Sequence, residues 1–142
     1  MQILKELLRV GARVDARDSE GYAPIYHAAE TGNLSALHEL VRAGSSHARR
    51  SNNVQTPHAV ACMCGHSIVV EYLVDNCEAD PCAVNAVEPT PLAVATRLGH
   101  LEVVKVLLRC GVRQLGPTAY GDSLFGMTMS GNVRIVRELV HA

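Results

Sequence analysis

Apolar residues recur along this chain in short runs at helical spacing, each closed by a glycine. The clearest stretch runs from Thr90 to Gly111. Leu92, Val94 and Ala95 mark a first helix, and Leu101, Val104, Leu107 and Leu108 a second. Thr90 is placed to cap the first helix, because its hydroxyl can accept a hydrogen bond from an otherwise unpaired N–H of the first turn. Pro91 follows at the first helical position, where its missing N–H costs nothing. Gly99 and Gly111 close the two helices, since the residue after a helix often needs φ > 0. Neither run is long enough to be stable alone in water, so each needs neighbours.

The same pattern returns through the chain. Gly32, Gly65, Gly99 and Gly131 are spaced by 33, 34 and 32 residues. Nine residues before each stand Ala23, Thr56, Thr90 and Asp122, followed by Pro24, Pro57, Pro91 and Ser123. Downstream, Leu37/Leu40/Val41 match Val70/Leu73/Val74, Val104/Leu107/Leu108 and Val136/Leu139/Val140. A self-similar period near 33 residues with two helices per unit is a repeat architecture. It resembles the ankyrin repeat. That family's Thr-Pro-Leu-His-x-Ala core appears as Thr90-Pro91-Leu92-Ala93-Val94-Ala95 and, more loosely, as Ala23-Pro24-Ile25-Tyr26-His27-Ala28. The resemblance covers almost the whole chain. It implies an all-α solenoid of stacked helix-turn-helix units with projecting hairpin loops.

In order, a half repeat at 1–11 carries Ile3, Leu4, Leu7 and Leu8 at second-helix spacing. Repeats follow at 12–44, 45–78, 79–111 and 112–142, read together as one domain. The first has a hairpin tip at Asp18-Ser19-Glu20-Gly21, and the second a more divergent one at Ser51-Asn52-Asn53-Val54. The second repeat's outer helix runs one residue late, with Asn76 expected to take φ > 0. The fourth is the weakest: it lacks the Thr-Pro start, has Gly116-Pro117 in its hairpin and carries Gly126 inside its first helix. Both ends are apolar where a family cap would be polar, so a segment of a longer array is expected.

Composition adds limits. With 48% hydrophobic and 19% charged residues the chain suits a soluble packed protein, and no apolar run approaches a membrane span. No signal-peptide pattern opens the chain, which favours a cytoplasmic or nuclear site. Thirteen basic against fourteen acidic residues leave no footprint for nucleic acid. Arg49-Arg50, with His47 and Arg17, reads as a solvated hairpin edge or, more sharply, as a contact for an acidic partner patch.

Five cysteines and seven histidines raise the question of a metal or a nucleophile. Cys62 and Cys64 lie two apart on a helix and face different ways. Cys77 and Cys110 occupy equivalent places in adjacent repeats, too far apart for a disulfide. Cys82 has no ligand set at zinc spacing. Free thiols are expected, with no metal, no cofactor and no catalytic constellation. His66 and His100 fit the family's Gly-His helix start. His58 stands where Ile25, Leu92 and Leu124 face the core, which suggests a neutral core histidine or a locally rotated helix rather than a ligand or catalyst.

The resemblance implies binding of a protein or peptide on a concave face built from hairpin tips and the exposed side of the inner helices. Carried onto this sequence, that face holds Ser19, Glu20, Tyr22, Glu30 and Thr31, then Asn52, Asn53, Gln55, Met63 and Cys64. It continues through Ala86, Val87, Pro89, Arg97 and Leu98 to Ala119, Tyr120, Met129 and Ser130. Of these, Tyr22, Glu30, Asn52, Asn53, Gln55, Met63, Val87, Arg97, Leu98, Tyr120 and Met129 are the expected partner contacts. Lys105, Arg109, Arg134 and Arg137 are expected on the wet outer face. The expected function is therefore a monomeric, non-catalytic interaction module. The alternatives are a regulatory or targeting domain of a larger enzyme and a structural spacer.

Overall fold

The computed structural model describes residues 2–46, 56–77, 79, 90–112 and 132–141. These contain eight helices and no strand. They are α1 (Gln2–Arg9), α2 (Pro24–Glu30), α3 (Leu34–Arg42), α4 (Pro57–Cys64), α5 (Ser67–Cys77), α6 (Pro91–Leu98), α7 (Leu101–Arg109) and α8 (Val133–His141). The chain divides into two compact units, Met1–Ala79 and Asp80–Ala142.

Local chemistry sets where the inner helices begin. Thr56 and Thr90 are extended, with ψ of 159° and 153°. Their hydroxyls accept from the N–H of Ala59 at 3.2 Å and Ala93 at 3.1 Å. Pro57 and Pro91 follow at the start of each helix. Ala23 has the same backbone shape but no side chain to cap α2. Asn33 Oδ1 caps α3 by accepting from Ala36 N–H at 3.0 Å. Gly65 and Gly99 end α4 and α6 in the left-handed region, as their spacing predicted.

In the first unit α2 packs on α3 and α4 on α5, while α2 also meets α4 and α3 meets α5. Small residues let the inner helices approach: Ala28, Ala29, Ala61 and Cys62 are all buried. Ile25, Leu37, Leu40, Val60, Val69, Val70 and Leu73 fill the space between the layers. Asp15 ties the first repeat to the second, its Oδ1 accepting from Ser45 Oγ at 3.0 Å and from Ser46 N–H at 3.1 Å. In the second unit α6 packs on α7 and α7 on α8, around Leu92, Ala95, Val103, Val104, Leu107 and Ile135.

One expectation needs correction. Asn76 does not turn left-handed: α5 continues through it to Cys77, and its amide Nδ2 donates to the Tyr72 carbonyl at 3.1 Å. The extra residue is absorbed after the helix, where Ala79 N–H reaches back six residues to Leu73 O; Ser45 and Val112 reach back five, to Leu40 and Leu107. In α8 the fully buried residue is Ile135, the counterpart of Val103. Val136 and Leu139 are half-buried, while Val133 and Val140, near the two ends of the helix, are 69% and 71% exposed. The hairpin, glycine and inner-helix features expected of the fourth repeat, Gly116-Pro117 and Gly126 among them, lie outside the described residues.

Candidate functional site

The inner helices are buried along most of their length and open at one end. Residues 91–96 of α6 are all buried, whereas Arg97 and Leu98 are exposed. At the matching places of α4, Met63 and Cys64 are exposed, and in the first repeat Glu30 and Thr31 are. Relative to the closing glycines Gly32, Gly65 and Gly99, these three pairs are equivalent. Their chemistry is not: acid and hydroxyl, thioether and thiol, guanidinium and aliphatic. Positions held open by the fold but free in residue type are where a repeat protein can vary its surface without disturbing its core. Met63 is 38% and Leu98 48% exposed, so apolar side chains face solvent within each unit.

The first repeat carries the most elaborate part of this surface. Asp18 N–H donates to Tyr22 O and Gly21 N–H to Asp18 O, both at 3.0 Å, which closes the expected turn. Asp18 Oδ1 also accepts from the N–H of Glu20 and of Tyr22, each at 2.9 Å. Arg17 Nη1 adds a bond to the Gly21 carbonyl at 3.0 Å. His27, on α2, joins the turn to the helix: its Nε2 lies 2.8 Å from Asp18 Oδ2 and its Nδ1 3.3 Å from Glu30 Oε2. The hydrogen bond to Asp18 raises the imidazole pKa, with Glu30 adding to it, while the bond to His27 is the chief cause that lowers the Asp18 carboxyl. Tyr22 stacks on Tyr26 with ring centroids 4.3 Å apart. Burial, aided by the nearby Tyr22 and Glu30, pushes the Tyr26 phenol up to about 12.

Sequence reasoning named Ser19, Glu20, Tyr22, Glu30 and Thr31 here but missed Asp18 and His27. The one local signal was the i, i+3 spacing of His27 and Glu30, which puts both on one helix face. Tyr22 is half-buried against Tyr26 rather than fully presented. In the same unit α4 contributes Met63 and Cys64; the Cys64 thiol is pushed up by burial and by the charge of Glu30. Arg97 and Leu98 belong to the second unit. Asn52, Asn53, Gln55, Val87, Tyr120 and Met129 lie outside the described residues, as do Ala86, Pro89, Ala119 and Ser130.

Elsewhere the chemistry is that of a packed scaffold. His58 is buried at 4% exposure, and its Nε2 stands 3.9 Å from Cys62 Sγ one turn on. Burial pushes the Cys62 thiol far up. No metal-binding group of three or more ligands occurs among the described residues, and no described helix is long and apolar enough to cross a membrane. On the outer helices Lys105 pairs with Glu102 at 3.0 Å, and Arg109, Arg134 and Arg137 are exposed.

The family model for ankyrin repeats (3 copies) matches residues 1–85 and 46–115. The chain belongs to the ankyrin repeat family. Among curated proteins it is similar to protein fem-1 homolog A-like of Mus musculus, 36% identical over 77 residues that make up 53% of this chain and 11% of that protein. It is also similar to protein fem-1 homolog CG6966 of Drosophila melanogaster, 35% identical over 101 residues, 61% of this chain and 15% of the relative. Ankyrin repeat and SOCS box protein 3 of Bos taurus is 31% identical over 100 residues, 65% of this chain and 18% of its own length. The chain thus spans less than a fifth of each of these relatives. Ankyrin repeats are in general protein–protein interaction modules, and none of these relatives is an enzyme by name.

Proposed function

We propose that residues 1–142 are a single, monomeric, non-catalytic ankyrin domain that holds a partner protein or peptide on the hairpin and inner-helix face. The observation that carries this reading is the pairing of exposed positions before each closing glycine, Glu30/Thr31, Met63/Cys64 and Arg97/Leu98, at the ends of helices buried along most of their length. The mechanism is surface complementarity on a preformed frame, so little ordering entropy is lost on binding. Met63 and Leu98 supply apolar contact, each gaining about 25 cal/mol per Å² covered. Arg97 and Glu30 supply charges that set orientation more than affinity.

The test is a photo-crosslinking residue placed at position 63, 98 or 105 of the chain in cells. The reading expects one partner protein captured from 63 and 98 and lost from 105. Equal capture from all three, or capture from 105 alone, contradicts it.

A further inference from the structure

The geometry around His27 favours the doubly protonated ring. Both ring nitrogens meet carboxylate oxygens, Nε2 at 2.8 Å from Asp18 and Nδ1 at 3.3 Å from Glu30. An ionised carboxylate only accepts hydrogen bonds, and a neutral imidazole carries one N–H. Both contacts are therefore satisfied only when both nitrogens are protonated. The neutral ring keeps one, and its bare nitrogen then confronts a carboxylate lone pair. The shorter contact is the one to Asp18, whose carboxylate is already fixed by two backbone N–H groups.

We propose that His27 is a proton-operated clamp: as imidazolium it holds the turn carboxylate of Asp18 and the helix carboxylate of Glu30 together, and as neutral imidazole it keeps Asp18 and releases Glu30. The surroundings leave these two acids in control. The turn presents Tyr22 edge-on to the imidazole, and α2 presents Tyr26 the same way. Arg17 reaches the turn at the Gly21 carbonyl. From α4, Cys64 lies near Glu30 and Tyr26, and just before α5 His66 meets Glu30 at its backbone carbonyl, Nε2 to O at 2.9 Å. The cleft beside His27 is completed by Leu4 of α1 and by Ala36 and Leu40 of α3, which carry no charge. His27 is half exposed, so protons exchange with solvent freely.

The consequence is a face whose charge depends on pH. With the clamp closed, one imidazolium opposes the two acids; with it open, Glu30 is bare and free to meet a cationic group. That consequence rests on the binding face proposed above, but the clamp itself does not, and its test needs no partner.

The experiment is an NMR titration of the 142-residue chain, following the His27 ring nitrogens and the Glu30 side-chain carboxyl carbon. The expected results are three. His27 titrates above the ordinary histidine value. Its neutral form carries the proton on Nε2. The Glu30 carboxyl carbon shows an inflection at the His27 midpoint. Glu30→Gln should lower that midpoint and Asp18→Asn should lower it further, the latter keeping an oxygen for the Glu20 and Tyr22 amides. A neutral form protonated on Nδ1, or a midpoint unmoved by Glu30→Gln, overturns the clamp. If the titration succeeds while the crosslinking above fails, the clamp stands and the binding face falls.

Discussion

The imidazole of His66 occupies the space that a side chain on Gly32 would need. A Cβ at Gly32 would lie 2.5 Å from His66 Nδ1, and the ring is held there by a 2.9 Å hydrogen bond from its Nε2 to the Glu30 carbonyl of the preceding repeat. In the second unit Asn132 stands over Gly99 in the same way, with Nδ2 2.6 Å from the corresponding point. The closing glycine thus serves its own helix and also receives the residue just before the next repeat's outer helix.

Gly32→Ala should be more costly than Gly44→Ala. Both residues have positive φ, 69° and 86°, a strain of about 1–2 kcal/mol for alanine. Only Gly32 also displaces His66 and its hydrogen bond, adding about 1 kcal/mol. Nothing lies within 4 Å of the corresponding point at Gly44. Urea unfolding of the two variants checks this; equal midpoints would show that the His66 contact carries no stability.

The caps predict a gain as well as losses. Thr56→Ala and Thr90→Ala should each cost about 1 kcal/mol, because each hydroxyl is the partner of a first-turn N–H. Ala23→Ser should stabilise α2 by about 0.5–1 kcal/mol, since its backbone already has the capping shape and lacks only the oxygen. Thermal unfolding of the three variants reads all of this.

The Asp18–His27 pair makes stability depend on pH in both directions. Asp18 is lowered, so its contribution is present above the ordinary value of 3.8 and lost as pH falls through the folded value. His27 is raised, so its contribution is present below the ordinary 6.5 and lost as pH rises through the folded value. The pair therefore contributes most between 3.8 and 6.5. The melting temperature lost on His27→Gln should be largest near the middle of that window and shrink toward both ends. A deficit independent of pH would mean that the ring acts by packing alone.

The cysteines should label in order of burial. Cys64 is exposed, while Cys62 and Cys77 are buried and their thiols pushed up by that burial. Mass spectrometry after brief alkylation should find Cys64 modified first of the three. Early modification of Cys62 would show that α4 opens in the native state.

The parts of this structure legible in the sequence are those written in local backbone chemistry. Thr56-Pro57 and Thr90-Pro91 announce helix starts, Gly65 and Gly99 announce ends, and Leu40, Leu73 and Leu107 repeat at a period that only stacking explains. The ankyrin architecture followed from them. Asn76 was misread because the left-handed residue was sought at asparagine, whereas the longer helix closes further on through Ala79. The Asp18–His27 contact was invisible for a different reason. It joins residues nine apart through a turn folded back on a helix, and no periodicity encodes that. Met63, Arg97 and Leu98 were readable as exposed because the repeat register fixes which side of an inner helix is covered.

The central claim is that the exposed ends of the inner helices, rather than the charged outer helices, bind the partner. The most direct measurement is an alanine scan of affinity for the crosslinked partner, with melting temperature recorded alongside. Met63→Ala and Leu98→Ala should each weaken binding by about 1–2 kcal/mol without lowering the melting temperature, while Glu102→Ala and Lys105→Ala leave affinity unchanged. Loss of binding on the outer-helix substitutions, with Met63→Ala and Leu98→Ala at wild-type affinity, would contradict the account.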